Sequence, residues 1–238
     1  YLGIFSACST SMEGLALAAF LVNYTGARYI LTGASSHHAA AERQFRYPTK
    51  YGGQKPPTAQ HTVTGAGFAL VGAYEDKEKP HAAIISATIG TVVDHGIRDP
   101  FNMGVAMAPA AVATIIQHFK DFQVDPSHYD LIVTGDLAKA GRHMALELLQ
   151  EEGWNIEPEK FVDCGLMIYS ENQQVYAGGS GPGCSATVVY GHLLNEMKKG
   201  KYKRILVVAT GALLSPLSVQ QKETIPCIAH AAVLEWQQ

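Results

Sequence analysis

Apolar and polar positions along the chain alternate between two spacings, and each segment reads as a helix or a strand from that spacing. Leu2 to Ser6 is a short apolar run that predicts a buried strand. Ser9 to Tyr24 carries helical spacing, with Ser9, Thr10 and Ser11 as candidate cap oxygens and Gly26 as a stop. Further strands are expected at Tyr29 to Gly33, Gly67 to Tyr74 and Ala82 to Val93. Between the first two lies a polar stretch, "SSHHAAAERQFRYPTKYGGQKPPTAQHTVTG", which reads as a long ordered loop. From Asn102 a helix is expected with Pro109 in its first turn or at a kink. A strand "YDLIVTGD" and a helix closed by Gly153 follow. "FVDCGLMIYS" reads as strand or loop. A glycine-rich loop then runs into a helix from Cys184, and "RILVVATGALLS" and "CIAHAAVLEW" close the chain as strands.

Two segments repeat one pattern. A small-residue loop with a cysteine, a helix and a strand ending in Thr-Gly-Ala occurs in "SACSTSMEGLALAAFLVNYTGARYILTGA" and again in "GPGCSATVVYGHLLNEMKKGKYKRILVVATGA". Cys8 and Cys184 stand 176 residues apart, too far for a solenoid period. That spacing suits a duplicated α/β fold whose halves each bring one helix start to a common centre. A strand running straight into a helix at Tyr1, with no earlier element to pair with, suggests that the chain begins inside a domain.

Composition narrows the function classes. The net charge of −3 argues against nucleic acid, which calls for a basic face. The apolar run Gly14 to Val22 is too short to span a bilayer, and no charged-then-apolar leader is visible, so the chain reads as soluble. The four cysteines are widely spaced with no C-x-x-C pair, which argues against zinc and a disulfide scaffold and for a reducing, intracellular setting.

The chemistry centres on Cys8. A thiol at a helix N-terminus sits where free N–H groups and the positive end of the helix dipole stabilise a thiolate. The same geometry holds a bound carboxylate. Position alone leaves three readings open: a nucleophile, a ligand site, or a small packing thiol.

The blocks "ACSTSMEGLAL", "AMAPAA", "YDLIVTGDL", "DCGLMIY" and "RILVVATGALLSP…QQKETIPCIAH", together with the long polar loop, resemble the stage V sporulation protein AD family of the thiolase-like superfamily from end to end. The resemblance implies a duplicated, layered α-β-α-β-α fold. Residues 1–98 would be the remainder of a first half whose N-terminal part is missing, and residues 99–238 the second half. It also implies pairing into a homodimer. Cys8 matches the superfamily's nucleophile, but Gly135 and Asp136 stand where a catalytic histidine is expected, and Gly179 and Ser180 where a histidine or asparagine is expected. The resemblance therefore implies a non-catalytic pocket, widened for a ring by the two glycines.

The resemblance further implies a ligand, dipicolinic acid (pyridine-2,6-dicarboxylate), with whose uptake into the developing spore the family is associated. Candidate contacts are Cys8, Ser9, His37, Arg43, Arg46, Asp136 and Ser180. Arg43 and Arg46 read more readily as solvated or dimer-interface residues, and Asp136 equally as the N-cap of the helix near Ala138. Asp136 would repel a bare dianion and suits a calcium chelate or a protonated carboxyl. No resident cofactor is expected. The expected partners are the other stage V sporulation A membrane proteins, with a peripheral position at the forespore or spore inner membrane. The rival expectation is a Cys8-dependent acyltransferase or condensing enzyme.

Overall fold

The computed structural model describes residues 1–42, 56–73 and 79–237. Its centre is a five-stranded sheet in the order β4-β9-β8-β5-β6, built from β4 (His81–Ile89), β5 (Leu131–Thr134), β6 (Phe161–Asp163), β8 (Arg204–Ala212) and β9 (Cys227–Gln237). β6, β5 and β8 run parallel, while β9 lies antiparallel to both β8 and β4. Parallel strands need covered faces, and period-2 alternation divides this sheet between two cores. Ile132, Leu206, Val208, Ala231 and Val233 meet one helical layer. Leu131, Val133, Ile205, Val207, Ala232 and Leu234 meet the other.

The first layer consists of α3 (Met103–Phe122) and α4 (Ala138–Glu151), and Pro109 sits inside the continuous α3 rather than in its first turn. Gly104 lets α3 pass the residue that precedes α4. A Cβ there would lie 2.2 Å from the Leu137 carbonyl oxygen.

The second layer is where the two repeats meet. α1 (Thr10–Thr25) packs on a two-stranded antiparallel sheet of β1 (Tyr29–Ser36) and β3 (Gly65–Gly72). Its counterpart is a continuous helical stretch: α6 (Pro182–Thr187), a π-helical turn over Val188–Leu193, and α7 (Leu194–Lys198). Each half thus runs helix, strand, antiparallel strand, as α1-β1-β3 and as α6/α7-β8-β9. The two helices touch through Ser11 and Ser185, whose hydroxyls are 2.7 Å apart, and through Tyr190, which donates to the Ser11 carbonyl at 3.2 Å.

Four expectations change. Residues 1–5 form no strand, because no neighbouring strand pairs with them among the described residues; Ser6 makes only an isolated bridge to Cys8. Part of the long polar loop is ordered as α2 (His38–Glu42) and β2 (His61–Thr62), and β2 pairs in parallel with β7 (Gly179–Ser180). "FVDCGLM" splits into β6 and a short helix α5 (Cys164–Met167). Finally, β4 ends at Ile89 rather than running on to Val93, and it lies in the five-stranded sheet, apart from the β1–β3 pair.

Candidate functional site

Cys8 sits in a tight turn before α1. The turn is closed by the Ser9 N–H donating to the Ser6 carbonyl at 3.0 Å, reinforced by the Ser9 hydroxyl donating to the same oxygen at 2.6 Å. Thr10 locks it from the other side: its hydroxyl accepts from the Ser6 N–H at 3.0 Å and donates to the Ala7 carbonyl at 2.7 Å. Ala7 is forced to φ +49°, a left-handed conformation that a residue with a Cβ adopts only when its surroundings hold it there. Gly211 on β8 allows the approach, since a Cβ there would stand 2.3 Å from the Ser6 oxygen.

The facing wall is the segment after β5. β5 ends at Thr134, and α4 begins at Ala138 with φ +55° and with Leu137 as its N-cap. One carboxylate, the fully buried Asp163 at the end of β6, fixes this turn. It accepts from the Thr134 hydroxyl at 2.6 Å, the Leu137 N–H at 2.8 Å and the Ala138 N–H at 3.0 Å. Gln60 supports the same segment by donating to the Asp136 carbonyl at 2.5 Å.

Held this way, the Asp136 side chain turns away from α4 and into the protein. It accepts from the Gly181 N–H at 2.9 Å and the Thr210 hydroxyl at 2.8 Å. Both donors are neutral, and among the described residues no cationic side chain pairs with it. Burial pushes the Asp136 carboxyl up to about 7; Gly181, Thr210 and the nearby Cys8 oppose that rise and the nearby Asp163 adds to it.

The thiol responds to this neighbour. Cys8 keeps part of its surface open, yet protein surrounds the sulfur deeply enough to disfavour its charge. Burial first, and then the nearby Asp136, hold the thiol well above its ordinary range, against a smaller opposing pull from the Gly181 N–H. The thiolate that a helix terminus would stabilise is therefore not favoured: burial outweighs the helix end. The imidazole nearest in the described network, His230, is engaged with Ser6 instead. Gly90 N–H donates to its Nδ1 at 3.3 Å, which leaves the ring proton on Nε2 to be donated to the Ser6 hydroxyl at 3.2 Å.

The structure brings together Cys8, Asp136 and the Ser180–Gly181 segment, and Ser180 is itself buried, with its carbonyl taking the Val63 N–H. Ser9 is corrected: its N–H and hydroxyl are both spent inside the turn. The N-cap reading of Asp136 is also overturned, because Asp163 takes the helix-start N–H groups. His37 is exposed after β1, and no hydrogen bond, ion pair or ring contact joins its ring to Cys8 or Asp136 among the described residues. Arg43 and Arg46 lie outside the described residues. Cys184 is fully buried, 3.6 Å from the Gly135 carbonyl, as a packing thiol.

The glycines do not open room for a ring. A Cβ on Gly135 would meet the Ala209 Cα at 3.0 Å, and one on Gly179 would meet the Ile168 side chain at 2.8 Å. Both directions are filled by neighbouring elements. A separate hollow lies away from Cys8, about 540 Å³ in volume, against His38, His61 and Tyr169. Among the described residues no cluster of three or more His, Cys, Asp or Glu side chains could hold a metal ion.

Sequence reasoning missed Asp163, Thr210, Gln60 and His230. Only Thr210 left a mark, as the threonine of the repeated Thr-Gly-Ala.

Both the fold and the sequence have known relatives. In fold, the chain is similar to 3-oxoacyl-[acyl-carrier-protein] synthase III from Aquifex aeolicus VF5, with TM-score 0.57 and 18% identity over 98% of this chain and 66% of that one. It is similarly related to the synthase III of Pseudomonas aeruginosa PAO1, with TM-score 0.60 and 11% identity over 99% and 67%. The architecture is thus thiolase-like. In sequence, it is 54% identical to stage V sporulation protein AD of Bacillus subtilis (strain 168) over 235 residues, 99% of this chain and 68% of that protein. The chain spans about two-thirds of the length of the relatives it matches. The family profile described as Stage V sporulation protein AD (SpoVAD) matches residues 1–235, and the chain belongs to that sporulation family.

Proposed function

We propose that the chain is the binding part of a non-catalytic receptor for dipicolinic acid in spore formation, with the ligand seated at the Cys8–Asp136 centre. The observation that carries this reading is that the Cys8 thiol is enclosed beside the Asp136 carboxyl, and burial first and then that carboxyl disfavour its thiolate. A condensing nucleophile needs a group that takes its proton and donors aimed at a developing oxyanion. Asp136 instead makes the thiolate costly, and the nearby imidazole is turned to Ser6. Family membership supports the sporulation role, and the ligand class is what the sequence resemblance implies. No helix among the described residues is long and apolar enough to cross a membrane, which suits a peripheral partner of the membrane proteins of the same system. Pairing into a homodimer belongs to the same proposal.

Titration calorimetry with dipicolinate, with and without calcium, tests the reading. Saturable binding that weakens in Cys8→Ala is expected. Absence of heat under both conditions would remove the receptor. Binding that is untouched by changes at Cys8 and Asp136 would move the ligand elsewhere, the hollow at His38 and His61 included. A stable acyl adduct on Cys8 after incubation with acyl-CoA, seen by mass spectrometry, would replace the receptor with an acyltransferase.

A further inference from the structure

The connection from α7 to β8 concentrates positive charge. Lys198, Lys199, Lys201 and Lys203 follow one another closely, and all four are exposed. The turn that carries them is held in place. Gly200 takes φ +79°, and the N–H groups of Gly200 and Lys201 donate to the carbonyls of Met197 at 2.9 Å and Glu196 at 3.0 Å. Asp130 then accepts from the N–H groups of Lys203 at 2.6 Å and Arg204 at 2.9 Å. The lysines project from one preorganised corner.

Their charge is not cancelled locally. Glu196 is shared between Lys199 at 2.8 Å and Lys201 at 3.3 Å, and Arg204 is matched by Glu235. Lys198 and Lys203 make no ion pair among the described residues. Lysines in the last turn of a helix ordinarily offset its dipole, but that end carries only about half a charge. Four ammonium groups against the carboxylates of Glu196 and Asp130 leave a positive surplus, on a chain whose net charge is −3.

An apolar seat adjoins the lysines. A hollow of about 240 Å³ opens between Met197, Tyr202, Lys203 and Trp236. Tyr202 and Trp236 are partly exposed, and the Lys201 ammonium stands 5.1 Å from the centre of the Tyr202 ring. Rings of this kind, apolar with one polar edge, settle at the boundary between lipid headgroups and acyl chains.

We propose that the α7–β8 corner, with the Tyr202 and Trp236 edge beside it, is a docking surface for an anionic phospholipid bilayer. A protein of net negative charge is repelled by such a surface in most orientations, and a local basic corner selects one of them. The aromatic edge favours lipid over an acidic protein segment, which would use the charge alone. The corner ends the helical stretch that starts at Pro182 beside the Gly181–Asp136 contact, roughly 25 Å away along the helix. Docking there leaves the Cys8 end of the stretch clear. The proposal is independent of the receptor reading, since it calls for nothing bound at Cys8.

The test is co-sedimentation of the chain with phosphatidylcholine vesicles, plain or carrying about 30% phosphatidylglycerol, at about 50 and 300 mM KCl. Binding is expected only with phosphatidylglycerol, and weaker at the higher salt. Each lysine at the surface contributes about fivefold in affinity, so Lys198→Glu with Lys203→Glu should weaken binding by more than about tenfold. Lys120→Glu with Lys222→Glu, at exposed lysines elsewhere, changes the net charge equally and should stay within about twofold. On the native chain, vesicles should shield Lys198 and Lys203 from acetylation by acetic anhydride and leave Lys120 and Lys222 reactive, which decides the matter even if a variant folds poorly. No binding, equal binding to plain vesicles, equal losses in the two double variants, or equal shielding of all four lysines overturns the proposal. Capture on immobilised polyglutamate without vesicle binding also overturns it, in favour of an acidic protein partner. The receptor reading stands or falls separately, on the dipicolinate calorimetry.

Discussion

Ser11 and Ser185, 174 positions apart in sequence, meet hydroxyl to hydroxyl at 2.7 Å where the two repeated helices cross. Both are buried, so neither hydroxyl can turn to water instead. Removing one partner strands the other, at a cost of about 1–3 kcal/mol, whereas removing both costs less than the sum. Ser11→Ala and Ser185→Ala should each destabilise by that amount in urea unfolding, and the double variant should recover part of the loss. Additive losses would show that the pair is not coupled.

Cys8 should be a slow nucleophile. With burial and Asp136 holding the thiol well above its ordinary range, alkylation by iodoacetamide at pH 7.5 is expected to lag a free thiol by more than tenfold. Asp136→Asn removes the opposing charge and should speed alkylation several-fold. A native rate equal to that of free cysteine would contradict the geometry.

Two buried groups give stability opposite pH slopes. His118, bonded at 2.8 Å to Thr88 on one ring nitrogen and to Tyr129 on the other, is pushed down to about 4 by burial. The unfolded chain binds a proton there from about pH 6.5 downward while the folded chain does not. Its contribution is therefore present above pH 6.5 and lost as pH falls toward 4. Asp136 acts the other way: raised to about 7, the folded chain keeps a proton that the unfolded chain releases. Stability from this group is present at low pH and lost as pH rises toward 7. Each effect has an upper size of roughly 3–4 kcal/mol. In denaturant titrations, His118→Gln should leave stability falling from pH 4 to 7, and Asp136→Asn should leave it rising from pH 4 to 6.5. Identical slopes in both variants would refute the assignment.

Gly211→Ala should be severe. Its Cβ would press on the Ser6 oxygen at 2.3 Å and on the Ala7 Cβ and Ser9 nitrogen at 3.2 Å, the atoms that shape the turn carrying Cys8. Overpacking against backbone costs about 1–3 kcal/mol or more. Dipicolinate affinity should fall with the midpoint of thermal unfolding, whereas Gly191→Ala, where a Cβ meets nothing within 4 Å, should change neither.

What the sequence disclosed follows from how local each feature is. Helix α1, its stop at Gly26, strands β8 and β9 and the duplication were legible, because apolar spacing and a repeated Thr-Gly-Ala are properties of short segments. Cys8 was singled out from its place in the repeat, and Asp136 from the family resemblance. The direction of Asp136 was hidden, since helix α4 starts two residues later and an aspartate there reads as a cap. What turns it is Asp163, 27 residues away on another strand, by taking the N–H groups that a cap would have used. Ser9 misled for a similar reason: a serine before a helix advertises a free donor, and only the backbone path through Ala7 shows that the donor is consumed. Filling of the space beside Gly135 by Ala209 is likewise a matter of strand register, which no single segment carries.

The placement of β4 sets where this polypeptide can be divided. A fragment starting at residue 99 would strip β9 of its antiparallel neighbour from Ile89 to His81, leaving a long apolar border ready to pair with other molecules. A fragment starting at residue 79 would keep all five strands together, so trimming experiments on the C-terminal half should cut upstream of His81.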